Sequence, residues 1–279
     1  MSDSDKGEMI WSYSRISYFC KYNWYKTYIQ GDRGENNFFG ELGGSLHELL
    51  ELHANGEITA EEVTESFDNS FYDMSTTPPP EGAFDYQASA YNKMYDYFHR
   101  DKFWRGDVIE AEKELNGVLP SGAKFIGFID LILDNDGLDF IDHKSSNGFK
   151  PHDLKKKIYQ QYLYAYFYHQ ETGVYPKRLI WDFFKLPNKP LIVEFNYDDM
   201  MEAISWAEGQ IELLSKLMII SNKLNVEGLW NPDLNYPPEE PLASPRAKNR
   251  NFACENLCNH RNSCKFVNGK KFNIDKLKK

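Results

Sequence analysis

Positive charge is scarce over most of this 279-residue chain, cysteine occurs only four times, and no apolar run approaches the length of a membrane span. A helix crossing a bilayer needs roughly 18 to 20 apolar residues, so none is expected. Met1 to Gly7 is polar and acidic, whereas a secretory leader begins basic, so the expected location is a cytoplasm. A disulfide framework is not expected either. Cys254, Cys258 and Cys264 crowd into eleven residues and Cys20 stands far upstream, a distribution that suits metal ligands in a reducing compartment. Also missing is a Gly-x-x-x-x-Gly-Lys-Ser/Thr phosphate loop, so any nucleotide-driven motor working with this chain is a separate protein.

What is present supports a sizeable core: 41% of residues are hydrophobic and 15% aromatic. The net charge of -10 argues at first against a polyanionic partner, but it is unevenly spread. From Pro245 to Lys279 ten Lys/Arg face two acidic residues, a local +8 that leaves -18 on the remainder. Such a split fits a basic strip on an acidic body as well as it fits a solvated tail.

Periodicity and capping residues predict helices over 12–29, with Cys20 inside, and over 45–54, after a Gly-rich stretch and carrying His47. A third helix follows the capping box Thr59/Glu62 and fades near Met74, and another spans 84–103 beyond a Pro-rich loop. Residues 57–104 thus read as a helical insertion. Strands are expected at 108–115, 124–133 and 138–144, then a helix at 153–170, strands at 178–186 and 191–195, and a long helix capped by Asp198 or Asp199 that reaches Leu224. A Pro-rich segment, 230–245, leads to the basic, cysteine-bearing segment 246–279. The expected architecture is α/β (or α+β), a single domain over 1–279 with a mixed central sheet flanked by helices.

The chemical centre falls on two of these strands. Asp142 and Lys144 alternate onto one face of 138–144. A three-residue turn, Asn135-Asp136-Gly137, would pair Asp134 with Leu138 and so set Asp130 opposite Asp142. Two carboxylates facing each other among apolar residues repel unless a cation separates them, and oxygen ligands suit Mg²⁺ or Mn²⁺. Such an ion could activate water against a phosphodiester, with Lys144 stabilising the transition-state charge. The bland alternative is a pair of ordinary polar residues, each neutralised by a nearby Lys or Arg. Gln160 and Tyr164, four apart on the next helix, could equally be core, and a lone His47 among leucines is more often structural.

Taken in order, Gly43-x-x-x-His47, Gly127-Phe-Ile-Asp130, Asp142-His-Lys144 and Gln160-x-x-x-Tyr164 resemble the motifs of the RecB-type branch of PD-(D/E)XK nucleases, which includes CRISPR-associated adaptation nucleases and the nuclease domains of bacterial recombination helicases. Glu112 resembles a frequent glutamate on the strand before the second motif. The resemblance implies a restriction-endonuclease-like fold. It implies metal binding by His47, Asp130, Asp142 and the His143 carbonyl, catalysis by Lys144, and positioning of the scissile strand or of Lys144 by Gln160 and Tyr164. Members of the branch carry one early and three late cysteines on a [4Fe–4S] cluster, so Cys20, Cys254, Cys258 and Cys264 are expected to staple the chain ends. The late spacing, C-x3-C-x5-C, departs from the more usual two-residue first gap, and Lys21 stands where proline often follows the early cysteine. That keeps zinc, with His260 as an alternative ligand, open. Arg261 and Lys265 flank the cluster and are expected to touch DNA.

The activity implied is metal-dependent DNA hydrolysis, as an exonuclease on single-stranded or frayed ends, in recombination, repair or phage DNA processing inside a bacterium or phage-infected host. A separate helicase or recombination protein is a conceivable partner, and relatives that form rings leave an oligomer open. The competing reading is a DNA-binding or assembly module with a degenerate site and a structural metal cluster.

Overall fold

The computed structural model describes residues 9–18, 20–79, 86–151, 154–224 and 253–264, with only the backbone described at 221–224 and 255. Lys265, the 230–245 segment and the ends of the basic tail lie outside the described residues. Five strands form one sheet in the order β1 (Asp107–Val118), β2 (Lys124–Asp134), β3 (Leu138–Lys144), β4 (Arg178–Phe183), β5 (Leu191–Glu194). β1, β2 and β3 make an antiparallel meander, β4 runs parallel to β3, and β5 returns antiparallel. The sheet is therefore mixed, as expected. No helix among the described residues is long and apolar enough to cross a membrane.

The turn chemistry sets the register. Asp136 (φ 55°) and Gly137 (φ 119°) take positive φ, the Asn135 amide donates to the Gly137 carbonyl, and Asp134 pairs with Leu138. The parallel β3–β4 pair needs a long crossover, supplied by α6 (Leu154–Thr172). α6 covers one sheet face with α7 (Tyr197–Leu224), burying Phe125, Phe140, Trp181 and Phe183. On the other face lies α3 (Phe38–Ala54), which shares a second core with α4 (Ala60–Ser70) and α5 (Tyr86–Phe98) through Leu46, Phe67, Tyr97 and Phe184.

Several boundaries differ from the sequence reading. The expected 12–29 helix is broken into α1 (Tyr13–Ile16) and α2 (Lys21–Trp24), which continues as a π-helical stretch to Ile29. Cys20 is therefore not inside a helix; it caps α2 in extended conformation. α3 begins at Phe38 under an Asn37 cap, so Gly40, Gly43 and Gly44 are helical. The expected 178–186 strand stops at Phe183, and α7 is capped by the side chain of Asn196, which accepts from the Asp199 amide. The Thr59/Glu62 capping box is present.

Candidate functional site

β1 and β2 change faces midway. Gly127 and Ile129 face the α6 side, with Gly127 against the Tyr164 ring, whereas Leu131 and Leu133 pack towards α3 with Ala54 and Trp104. Strict alternation would keep all four on one side. The switch falls at Asp130, and across the ladder at Glu112, the position that the β1–β2 register sets opposite it. Glu112 has φ 48°, a left-handed backbone that L-residues adopt at a cost. The coiled strand pair thereby turns both carboxylates out of the regular pleat and towards α3.

There His47 meets them. Its Nδ1 lies 3.5 Å from Asp130 Oδ2, and one ligand atom each from His47, Glu112 and Asp130 falls within 4.8 Å of the others. Gly43, one turn before His47, sits where an added Cβ would meet Ser145 Oγ at 3.2 Å, so the small residue lets α3 approach the end of β3. The β2–β3 ladder ends at Leu131 and Ile141, one step short of Asp130 and Asp142. In place of the next rung, the His143 amide donates to Asp130 Oδ2 at 2.7 Å. Asp142 and Lys144 form the other half of the site: the ammonium hydrogen-bonds Oδ1 at 2.8 Å and approaches Oδ2 to 2.6 Å. Both oxygens of the buried Asp142 carboxylate thus face the ammonium.

The electrostatics suit a bound cation. Burial raises Asp130 and Asp142 to about 6, with Lys144 opposing the shift in both, and the Asp130 charge adds to it at Asp142. Burial, then the carboxylates of Asp130, Glu51 and Asp142, raises Glu112 to about 7. His47 is lowered to about 4, first by burial and then by Lys144, so near neutrality it is an imidazole with a lone pair to give. Burial would lower Lys144, but the Asp142 and Asp130 charges outweigh it and raise its pKa, so it remains an ammonium. One neutral nitrogen and three carboxylates form a donor set for a hard divalent ion.

Gln160 and Tyr164 approach from α6, with Gln160 Nε2 3.2 Å from the Tyr164 hydroxyl. Tyr164 is buried, and its phenol is raised by burial, with smaller contributions from the Asp142 and Asp130 charges. The structure thus gathers His47, Asp130, Asp142, His143, Lys144 and Tyr164. It adds Glu112, which sequence reasoning noted without counting among the ligands; the signal was its place opposite Asp130 in the β1–β2 register. Asp142 is not within the tight His47–Glu112–Asp130 group, being drawn to Lys144.

The cysteines lie apart from this site. Cys254 and Cys258 are buried, and all four thiols are free of disulfides. Cys258 is raised to about 11, first by burial, with the Cys20 and Cys264 thiols near enough to contribute. The segment bearing the late cysteines docks on the loop before α3: the Glu35 amide donates to the Asn259 carbonyl, and Asn37 Nδ2 donates to the Leu257 carbonyl. Arg261, expected to touch DNA, has its guanidinium on the backbone carbonyls of Glu35, Asn36 and Cys258. His260, the alternative ligand, is buried with Nε2 3.3 Å from Thr27 Oγ1.

A profile of the PD-(D/E)XK nuclease superfamily matches residues 10–265. No curated protein matches the chain. Among solved structures, one similar to it is a crystal structure from Eubacterium rectale of a protein provisionally named an exonuclease, at 14% identity and a TM-score of 0.46 over 78% of this chain and 83% of that one. Another, of SSO0001, is 21% identical with a TM-score of 0.28 over 37% of this chain and 50% of the other. Neither likeness bears on activity.

Proposed function

The chain belongs to the PD-(D/E)XK nuclease superfamily, and from that premise we propose that it is a RecB-type, divalent-metal-dependent deoxyribonuclease acting as an exonuclease on single-stranded or frayed DNA ends. The observation that carries this reading is the meeting of His47, Glu112 and Asp130 with the Asp142–Lys144 pair across the ends of β2 and β3. His47, Asp130, Asp142 and the His143 carbonyl would hold Mg²⁺ or Mn²⁺, with Glu112 as a further carboxylate. When bound, such an ion polarises a phosphoryl oxygen and makes water a stronger nucleophile.

The protein's own groups do the rest. Lys144, kept as an ammonium by Asp142, stabilises charge developing on the phosphoryl oxygens as water attacks and the P–O bond breaks. Asp142 fixes that ammonium. The Tyr164 hydroxyl, bonded to Gln160, orients the strand or Lys144. Cys20, Cys254, Cys258 and Cys264 would hold a [4Fe–4S] cluster with a structural role. Helices α4 and α5 form the helical insertion of this one domain.

End-labelled single- and double-stranded DNA incubated with Mn²⁺, Mg²⁺ or EDTA tests the proposal. Cleavage by wild type that needs metal and is absent from Lys144→Ala supports it, and the label gives polarity. DNA binding without cleavage under any metal would instead favour the degenerate binding module.

A further inference from the structure

A buried polar network behind β3 has no part in the mechanism above. Asp182 on β4 is the register neighbour of His143 on β3, so both side chains leave the sheet on the α3 side. The Tyr97 hydroxyl of α5 enters between them, donating to Asp182 Oδ2 at 2.7 Å and lying 3.4 Å from His143 Nδ1. All three are buried, Tyr97 completely. Arg100 closes the far side, its guanidinium 3.4 Å from the Tyr97 ring centroid and 3.7 Å from Asp182 Oδ2. With the phenol proton given to Asp182, the Tyr97 oxygen is left to accept from His143 Nδ1–H, which assigns the tautomer.

Burying a carboxylate, a phenol and an imidazole costs free energy that an apolar packing would avoid. A general stabilising role is the plain explanation, but the position of His143 argues for more. Its amide holds Asp130 Oδ2 at 2.7 Å. Its own ring stacks on Phe184 at 5.9 Å and meets His47 edge-on at 6.0 Å. One residue therefore touches Asp130 through its main chain and His47 through its ring, while its side chain is anchored in the helical insertion.

We propose that Tyr97 and Asp182 are positioning residues: by locking the His143 ring they fix the peptide planes on either side of it, and so set His47 and Asp130 for the metal. The insertion is then part of the metal site. This rests on the divalent-metal reading given above. Groups outside the metal's immediate ligands that orient them typically change affinity 10–100-fold when removed.

The test is Mn²⁺ titration calorimetry on the full chain, with kcat, DNA KM and melting temperature measured alongside. Tyr97→Phe keeps the ring and removes both hydrogen bonds. It should weaken Mn²⁺ binding about 10–100-fold and lower kcat at limiting Mn²⁺, leaving DNA KM unchanged. Asp182→Asn, which keeps an oxygen for the phenol, should lose less. Tyr91→Phe makes the same chemical change on the same helix, where the hydroxyl bonds Asp68, and should leave Mn²⁺ binding unchanged. Wild-type affinity in Tyr97→Phe, or equal losses in Tyr97→Phe and Tyr91→Phe, would overturn the proposal. A wild type that binds no Mn²⁺ would instead overturn the metal reading beneath it.

Discussion

Replacing Gly127 with alanine puts a methyl group where there is no room. A Cβ built there lies 2.5 Å from Tyr164 Cε1 and 2.9 Å from Cδ1. Tyr164 is buried on α6, so its ring has little space to retreat. Overpacking of this kind costs about 1–3 kcal/mol. Alanine returns about 0.5–1 kcal/mol because it restricts a strand less unfavourably than glycine. The net expectation is a loss of about 0–2.5 kcal/mol, seen as a melting temperature lower by up to about 10 °C. Circular dichroism melts of wild type, Gly127→Ala, Tyr164→Leu and the double variant form the cycle. If the ring causes the cost, adding Gly127→Ala to Tyr164→Leu should be nearly neutral. Equal losses in both backgrounds would refute the reasoning, because the methyl would then be clashing with something else.

Three further outcomes are expected. Arg178 grips buried Asp139 through two hydrogen bonds of 2.6 and 2.7 Å; Arg178→Leu should cost about 3–5 kcal/mol in urea unfolding, and Arg178→Leu with Asp139→Leu should recover most of it. Glu41 accepts from the Thr77 amide and from the Ser75, Thr76 and Thr77 hydroxyls, and its pKa falls from 4.5 to about 2, the Thr77 amide contributing most. Its contribution is whole above pH 4.5 and is lost as pH drops towards 2, so the wild-type urea midpoint should fall more steeply than that of Glu41→Gln across this window; parallel curves would exclude Glu41 as the cause. Anaerobically purified wild type should show broad visible absorption with iron and labile sulfide, and Cys258→Ala should lose both; a colourless, zinc-containing wild type would reject the iron–sulfur assignment.

The legible parts of the sequence were those decided locally. β3 runs over the expected residues because its limits come from the Asn135-Asp136-Gly137 turn and a continuous apolar run. The Thr59/Glu62 cap and the long α7 are likewise short-range features. Where distant contacts decide, the reading failed. Three glycines ahead of His47 look like a loop, yet they are helical, and the one facing Ser145 is needed for a contact with a strand a hundred residues away. The aromatic run 12–29 holds no helix breaker, and nothing in its pattern marks the extended backbone at Cys20. At the site, counting along the hairpin gave the Asp134–Leu138 register, but the ladder stops at Leu131 and Ile141, one step short of the expected Asp130–Asp142 pair. Tyr97 and Asp182 gave no signal, because their meeting depends on how α5 lies over β4.

Asn37 is shared between two jobs. Its side chain caps α3, the helix that carries His47, and also bonds Leu257 and Asn259 in the segment of the late cysteines. The helix that presents the imidazole therefore rests on residues more than two hundred positions downstream. A nascent chain emerging from the ribosome would already contain both aspartates, the lysine and the histidine, but not the buttress beneath the start of α3. Full support of the start of α3 therefore waits until residues 257–259 have been made.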